Sequence, residues 1–292
     1  MASAPSPDST GAWERTLWRG ERAWASDSGP VRAIVSEERA RLIYLGGQDG
    51  SVNLVNAPWP RRSPTTKDPW PNQGGHRFWL GPQHRWVWPP PAEWEFSAAA
   101  GACVEDGVLV LEHDRVDEDY PALRREYAWT DSRLRCTVSW RDNGRSYFGL
   151  HVIAVNTPFS LSARLEPRPD APFGLVAARM VDPEPPLRLP QPALALSDGH
   201  VTVSSGLQRK KFGFVPQALR VERPGGWVLQ LHPGPHSRAN GQSPDHGFLS
   251  QVWVGDGTSD LAEIEQLTPH LAGDASGLCS TTIFIEAVPP VR

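Results

Sequence analysis

Two carboxylates stand two positions apart near the C-terminal end of the chain. Glu263 and Glu265 belong to the stretch Ala-Glu-Ile-Glu-Gln-Leu, which we interpret as a β-strand. Side chains alternate across a strand, so the two carboxylates are expected on one face. If that face is partly buried, the nearby like charge raises one pKa, which suits a general acid or base near neutral pH. A solvated face without a catalytic role is the alternative that the residues leave open.

A second group of chemically useful side chains lies between positions 59 and 94. Six of the 13 tryptophans occur there, in a stretch rich in proline and glycine. An indole face packs against the C–H face of a sugar ring, and polar side chains bind its hydroxyls. The segment therefore indicates a carbohydrate site, whereas the alternative is that the indoles fill the core. The polar residues around the indoles include Gln73, His76, Arg77, Gln83, His84, Arg85 and Glu93.

Other motifs exclude several classes of enzyme. His232 and His236 flank Pro-Gly-Pro and there is no His-Glu-x-x-His, so we expect no metal site. Neither a Gly-x-Ser-x-Gly elbow nor a phosphate-binding loop occurs, which argues against serine hydrolases, nucleotide-dependent enzymes and Rossmann dehydrogenases. We therefore expect no cofactor.

The chain consists of short apolar runs separated by turn residues. The spacing of these runs predicts an all-β fold of antiparallel sheets, whose strands would position the candidate site residues. Helical periodicity is confined to a turn or two around 37–42 and 119–125. The predicted strands cover 31–35, 41–45, 51–55, 107–112, 134–140, 147–155, 159–165, 174–180, 200–204, 227–232, 248–254, 262–267 and 281–288.

Composition and charge limit the partners and the cellular location expected for the protein. The chain has 292 residues, a formal net charge of −4 and three widely spaced cysteines. We expect no nucleic-acid partner, no disulfide framework and no membrane span, and a cytoplasmic location. Residues 1–11 are rich in Ser and Pro and are expected to form a disordered tail before a single domain at 12–292.

An ordered set of motifs resembles the galactose mutarotase-like (aldose 1-epimerase-like) superfamily, and in particular an uncharacterised branch of it. The likeness runs from about residue 30 to the C-terminal end of the chain. Its motifs are the strand pair 41–46 and 50–54 with Asn53-Leu54, Gly74-Gly75-His76-Arg77-Phe78-Trp79 with Gly81-Pro82-Gln83, Lys211-Phe212-Gly213, Ser243-Pro244-Asp245-His246-Gly247, and Glu263-Ile264-Glu265-Gln266-Leu267-Thr268-Pro269.

This resemblance implies a β-supersandwich with a carbohydrate groove on its concave face and a sugar as the small-molecule partner. In aldose mutarotases a glutamate takes the anomeric proton and a histidine protonates the ring oxygen, so that the ring opens and closes on its other face. Glu263 or Glu265 is then the candidate base, and His76, His151 or His246 the candidate acid. Candidate substrate-binding residues are Asn53, Arg77, Trp79, Gln83, Lys211, Asp245 and His246.

Three functions remain open on the sequence. The first is a mutarotase-like sugar-binding protein that acts as an aldose epimerase, and the second is a non-catalytic carbohydrate-binding protein with the same groove. The third is a relative of polysaccharide lyases or hydrolases, for which Tyr147, Arg145 and His151 are the base and carboxylate-binding candidates. Arg145 stands where the mutarotase motif Asn-His-Ser-Tyr-Phe-Asn-Leu has its histidine.

Overall fold

Three antiparallel β-sheets make up the structure, a computed structural model. It describes residues 11–86, 89–117, 119–165, 173–176, 194–204, 210–215, 218–244, 247–255 and 261–291. Within these residues the helical elements are the α-helix α1 (Ala92–Phe96) and a 3-10 helix (Gln83–Arg85). The prediction of an all-β fold is confirmed. No helix in the described part of the chain is long and apolar enough to cross a membrane.

The three sheets differ in size. The four-stranded sheet contains, in spatial order, β1 (Glu14–Trp18), β2 (Glu21–Ser28), β3 (Val31–Ser36) and β4 (Arg41–Gly47). The six-stranded sheet contains β12 (Phe173–Val176), β15 (Lys210–Phe214), β18 (Ser250–Val254), β19 (Leu261–Leu267), β10 (Phe148–Asn156) and β5 (His76–Gly81). The ten-stranded sheet contains β13 (Leu194–Ser197), β14 (His200–Ser204), β11 (Ser160–Arg164), β16 (Leu219–Glu222), β17 (Val228–His236), β20 (Leu278–Val288), β9 (Arg133–Arg141), β8 (Leu123–Thr130), β7 (Val108–His113) and β6 (Gly101–Glu105).

Local sequence explains the hairpins at the edges of the ten-stranded sheet. Asp106-Gly107 joins β6 to β7 and Asp198-Gly199 joins β13 to β14, with positive φ at both residues of each turn. Two-residue turns of this kind match the twist of the flanking strands, and Asp-Gly adopts them at low cost.

The six- and ten-stranded sheets pack face to face around an apolar core. Phe78 on β5 contacts Trp140 on β9, with ring centroids 5.9 Å apart. Ile264 on β19 and Ile283 on β20 belong to one buried apolar cluster, which also includes Val35 from the four-stranded sheet. One face of the six-stranded sheet therefore points into this core, and we call the opposite face the outer face.

Three local predictions were wrong. The region 119–125 leads into strand β8, because alternate residues Leu123, Arg125 and Tyr127 are buried in a two-residue period. Residues 37–40 form a turn before β4 rather than a helical segment. The region 51–55 forms a single bridge, Gly46 to Asn53, and no strand.

Candidate functional site

Strand alternation places both carboxylates of β19 on the outer face. Ala262 and Ile264 point into the core, where both are fully buried, so Glu263 and Glu265 point the other way. Glu265 lies opposite Val152 of β10 on one side and Gln251 of β18 on the other. We call residues that lie opposite one another on adjacent strands a row of the sheet. The two carboxylates therefore occupy neighbouring rows on the outer face of the central strand β19.

Arg77 reaches the same face from β5, at the edge of the sheet. It lies opposite Val152, in the row of Glu265, but its guanidinium extends diagonally to Glu263, with Nη2 2.6 Å from Oε1. The amide Nδ2 of Asn72 donates a hydrogen bond of 3.1 Å to the same carboxylate oxygen, from a position 191 residues away in the sequence. The carboxylate of Glu263 is therefore bound by Asn72, which precedes β5, and by Arg77, which belongs to β5.

Two glycines set the position of Arg77. Gly74 and Gly75 both have positive φ, and a Cβ atom on Gly75 would lie 2.3 Å from the carbonyl oxygen of Leu42. The chain passes so close to β4 here that only glycine fits. The amide of Ala154 donates to the carbonyl of Gly75 at 3.0 Å, which extends the pairing of β5 with β10 and fixes its register.

Lys211 approaches from the opposite side, on β15. It lies opposite Trp253 of β18, in the row of Glu263, and its Nζ is 2.9 Å from Oε2 of Glu265. The Lys211–Glu265 and Arg77–Glu263 ion pairs therefore run along parallel diagonals of the sheet, on opposite sides of β19. Gly213 lies on β15 in the row of Glu265 and has no side chain. It therefore leaves space for the side chain of Lys211 to extend towards Glu265.

Burial sets the electrostatics of these four groups. The side chains of Arg77, Lys211 and Glu265 are 1%, 7% and 3% exposed, and that of Glu263 is 13% exposed. Burial raises the pKa of Glu265, an effect that Lys211 opposes and the nearby charge of Glu263 increases. Burial alone would lower the pKa of Arg77, but the charges of Glu263 and Glu95 outweigh it and raise that pKa.

A third buried ion pair, between Arg41 and Glu95, acts electrostatically on Arg77. Oε1 of Glu95 on α1 is 3.0 Å from Nη1 of Arg41, and both side chains are fully buried. Arg41 also donates through Nη2 to the carbonyl oxygens of Trp94 and Glu95. Because the charges of Glu95 and Glu265 also act on Arg77, the Arg77 guanidinium lies in the field of three carboxylates, including Glu263.

Trp79 provides one apolar wall beside Arg77. The two residues share the outer face of β5, and the guanidinium of Arg77 lies 5.0 Å from the centroid of the Trp79 ring. Trp79 is buried and packs edge-on against Trp86, with centroids 5.9 Å apart. Gln83 follows in the 3-10 helix beyond the end of β5 and is partly buried.

The two histidines predicted as catalytic acids lie on the other face of the sheet. His76 and His151 are fully buried, and their rings meet at 3.0 Å between Nε2 and Nδ1. His76 packs edge-on against Tyr127 of β8, and His151 contacts the hydroxyl of Thr281 on β20. Both are therefore enclosed between the sheets, because each occupies a strand position of opposite parity to Arg77 and the glutamates. This placement corrects the expectation for His76 and His151.

Asn53 also has a different role from the expected one. Its Oδ1 accepts hydrogen bonds from the amides of Leu45 and Val55, and its Nδ2 donates to the carbonyl of Ile43. These bonds fix the turn after β4 and use the amide group of Asn53 within the chain, which corrects the sugar-binding expectation. Asp245 and His246 lie outside the described residues.

Two of the three residues considered for a lyase lie together, and the third lies apart from them. The Tyr147 hydroxyl donates to the carbonyl oxygen of Asp119, and Arg145 forms an ion pair with the carboxylate of Asp119 at the surface. His151 lies between the sheets, so these three side chains do not line one site.

Asn72, Gln251 and Trp253 were missed by sequence reasoning. Gln251 and Trp253 alternate along β18 on the same face as the glutamates, opposite Glu265 and Glu263 respectively. The period of two within the predicted strand 248–254 was an available signal for both residues. Asn72 had no such signal, since only the fold brings it to Glu263.

Comparisons with known proteins bear on the fold. No protein-family model matches the chain, and no curated protein does. A galactose mutarotase-like protein from Lactobacillus casei superposes with a TM-score of 0.60 at 12% identity, over 91% of this chain and 100% of that one. The chain has the galactose mutarotase-like fold.

Two further solved structures agree with this assignment. A putative aldose 1-epimerase from Escherichia coli covers 91% of this chain and 98% of its own, with a TM-score of 0.57 and 13% identity. A putative mutarotase from Salmonella typhimurium covers 95% and 94%, with a TM-score of 0.57 and 11% identity. In this mutarotase-like fold, the Lys211–Glu265 and Arg77–Glu263 ion pairs lie on the outer face of the six-stranded sheet.

Proposed function

We propose that this protein binds a sugar on the outer face of its six-stranded sheet. The observation that carries the proposal is the convergence of Arg77, Lys211, Glu263 and Glu265, which come from β5, β15 and β19. Solved proteins of the same fold are named as a galactose mutarotase-like protein, a putative mutarotase and a putative aldose 1-epimerase, which supports a sugar as the ligand class.

The chemistry of the four side chains suits hydroxyl groups. Carboxylates accept, and ammonium and guanidinium groups donate, charge-assisted hydrogen bonds. Nε of Arg77 is buried and has no hydrogen-bond partner within the described residues, so a ligand oxygen can satisfy it. Trp253, partly exposed beside Glu263, offers an indole for the C–H face of a ring.

The charge balance favours an uncharged sugar. Each described cation of the group already has a carboxylate partner, Arg77 with Glu263 and Lys211 with Glu265. A phosphate or uronate group brought to either cation would meet the adjacent carboxylate, and like charges at short range repel. Neutral hydroxyls meet no such repulsion.

The test is a titration of the protein with glucose, galactose, glucose 6-phosphate and glucuronate, followed by calorimetry and by ligand-observed NMR. We expect a neutral hexose to bind and Glu263→Gln to weaken binding by about tenfold, since a hydrogen bond to a charged group is lost. Glu286→Gln is the matched control, because Glu286 is also paired with an arginine, Arg133, but lies on β20 in the other sheet. Absence of binding by every sugar, or an unchanged affinity in Glu263→Gln, would contradict the proposal.

Anomer exchange is a second candidate function, favoured by the environment of Glu265. Burial raises the pKa of this carboxyl, which makes the carboxylate a stronger base for the anomeric proton. Exchange spectroscopy on an equilibrium mixture of the two anomers measures the rate directly. We expect the protein to accelerate exchange and Glu265→Gln to abolish the acceleration. Binding without acceleration would leave only the sugar-binding function.

A further inference from the structure

The Lys211–Glu265 pair places a proton donor directly beside a proton acceptor. Nζ and Oε2 are 2.9 Å apart, and both side chains are almost completely buried on the outer face. Lys211 reaches Glu265 across β18, from a row that would otherwise pair it with Glu263. A donor and an acceptor in contact form a compact unit that can act on two neighbouring atoms of a ligand.

In a cyclic sugar the two oxygens that exchange protons during anomer exchange are bonded to the same carbon. We propose that Lys211 donates a proton to the ring oxygen while Glu265 accepts the proton of the anomeric hydroxyl. The inference rests on the proposed sugar binding and on anomer exchange at the same face. It gives the acid role to a lysine, not to a histidine.

The proposed step balances without any co-reactant. The anomeric O–H proton passes to the Glu265 carboxylate, the remaining electron pair forms the aldehyde C=O bond, and the bond from that carbon to the ring oxygen breaks. The ring oxygen takes its proton from the Lys211 ammonium. After rotation about the adjacent C–C bond, the hydroxyl attacks the other face of the aldehyde, its proton returns to Lys211, and Glu265 protonates the new anomeric oxygen.

The other groups of this face suit the donor role less well. Arg77 is held by Glu263 at 2.6 Å, and a guanidinium does not give up its proton under ordinary conditions. His76 and His151 are enclosed on the core face. Among the described residues of the outer face, Lys211 is therefore the cation placed to release a proton next to a base. The raised pKa of Glu265 supports the complementary acceptor role.

The experiment compares binding with anomer exchange in wild type, Lys211→Met and Lys211→Arg. Lys211→Met removes the proton donor, whereas Lys211→Arg keeps a positive charge beside Glu265 but not a group that readily releases a proton. In both variants we expect the exchange rate at saturating sugar to fall by about a hundredfold or more, the usual contribution of a general acid. Because the rate is measured at saturating sugar, it is compared between the variants separately from any change in the dissociation constant.

Each outcome decides the question. A lost rate with retained binding in Lys211→Arg supports the inference, even if Lys211→Met fails to fold because Glu265 is left buried and unpaired. Retained acceleration in Lys211→Arg or in a folded Lys211→Met overturns it. Wild-type protein that binds sugar without accelerating exchange also overturns it, while the proposed binding function stands. Wild-type protein that binds no sugar removes both.

Discussion

The two faces of the six-stranded sheet carry equally buried polar residues with opposite electrostatic character. On the core face, His76 and His151 are fully buried, and burial lowers their pKa values, that of His151 to about 3. On the outer face, Arg77 and Glu265 are just as inaccessible but are held as charged groups in ion pairs. Burial alone therefore does not distinguish a structural polar residue from a functional one.

What distinguishes the faces is whether polar side chains meet charged partners. The imidazoles form neutral contacts with each other, with Tyr127 and with Thr281, and the buried Arg125 nearby further lowers both pKa values. The charged groups of the outer face neutralise one another in pairs. A buried ion pair contributes little net stability because the desolvation penalty opposes the attraction, so a gain in stability is a weak explanation for these pairs.

The largest effect on stability is expected on the core face of β19. Ile264→Ala removes a fully buried side chain, and we expect it to lower the free energy of unfolding by about 2–5 kcal/mol. Sugar affinity at temperatures where the variant stays folded should be retained. Urea unfolding and calorimetric titration measure the two quantities. The neighbouring Glu263→Gln should differ in that it lowers sugar affinity, and it should also lower the free energy of unfolding because Arg77 is left buried without its carboxylate partner.

The next effect concerns the glycine that positions Arg77. In Gly75→Ala, the new Cβ would lie 2.3 Å from the Leu42 carbonyl oxygen at a φ of +72°, so we expect about 1–3 kcal/mol of destabilisation together with weaker sugar binding. Gly107→Ala is the matched control, because its φ is +79° but nothing lies within 4 Å of the new atom. Equal losses of sugar affinity in the two variants would show that the register of β5 does not control the site.

Buried groups on the two faces should change the free energy of unfolding in opposite directions when the pH is lowered. The pKa of His151 is lowered to about 3, so between about 6.5 and 3 the unfolded chain binds a proton that the folded chain does not. Stability therefore falls on acidification through this window, by up to about 1.4 kcal/mol per pH unit for this group. Urea unfolding as a function of pH should show a shallower slope in His151→Gln. An identical slope would contradict the buried neutral imidazole.

For Glu265 the sign is reversed. Burial raises its pKa above the ordinary value of 4.5, so the folded protein binds this proton more readily than the unfolded chain, and protonation on acidification relieves a burial penalty. Anomer exchange, which needs the carboxylate, should decline on acidification at a pH above 4.5. A pH–rate profile measures this, and a decline that begins only below 4.5 would exclude Glu265 as the base.

The smallest effect is expected for an ion pair at the surface. Arg133 and Glu286 are 3.7 Å apart and 48% and 23% exposed, so Glu286→Gln should change the free energy of unfolding by no more than about 1 kcal/mol. Sugar affinity and exchange rate should be unchanged. A change in the sugar affinity or the exchange rate would mean that a substitution far from the site also alters them. The effects of Glu263→Gln and Glu265→Gln would then not be specific to the site.

Sequence reasoning succeeded where local pattern decides the structure. Period-two alternation and turn residues predicted most of the long strands, including β9, β10 and β20, because both signals act within a few residues. It failed at 119–125, where a short stretch fits either a helical turn or the start of a strand. Asn53 was misjudged because a motif match does not reveal that its amide is used by three backbone groups.

By itself, the sequence determined that Glu263 and Glu265 share one face of a strand, since alternation is a local property of the backbone. It left open whether His76 or Arg77 faces them, because adjacent strand residues point to opposite sides and a shift of one residue exchanges the faces. Only the tertiary structure decided this. Gly75 fixes the register of β5 against β10, and Arg77 thereby reaches Glu263 while His76 enters the core.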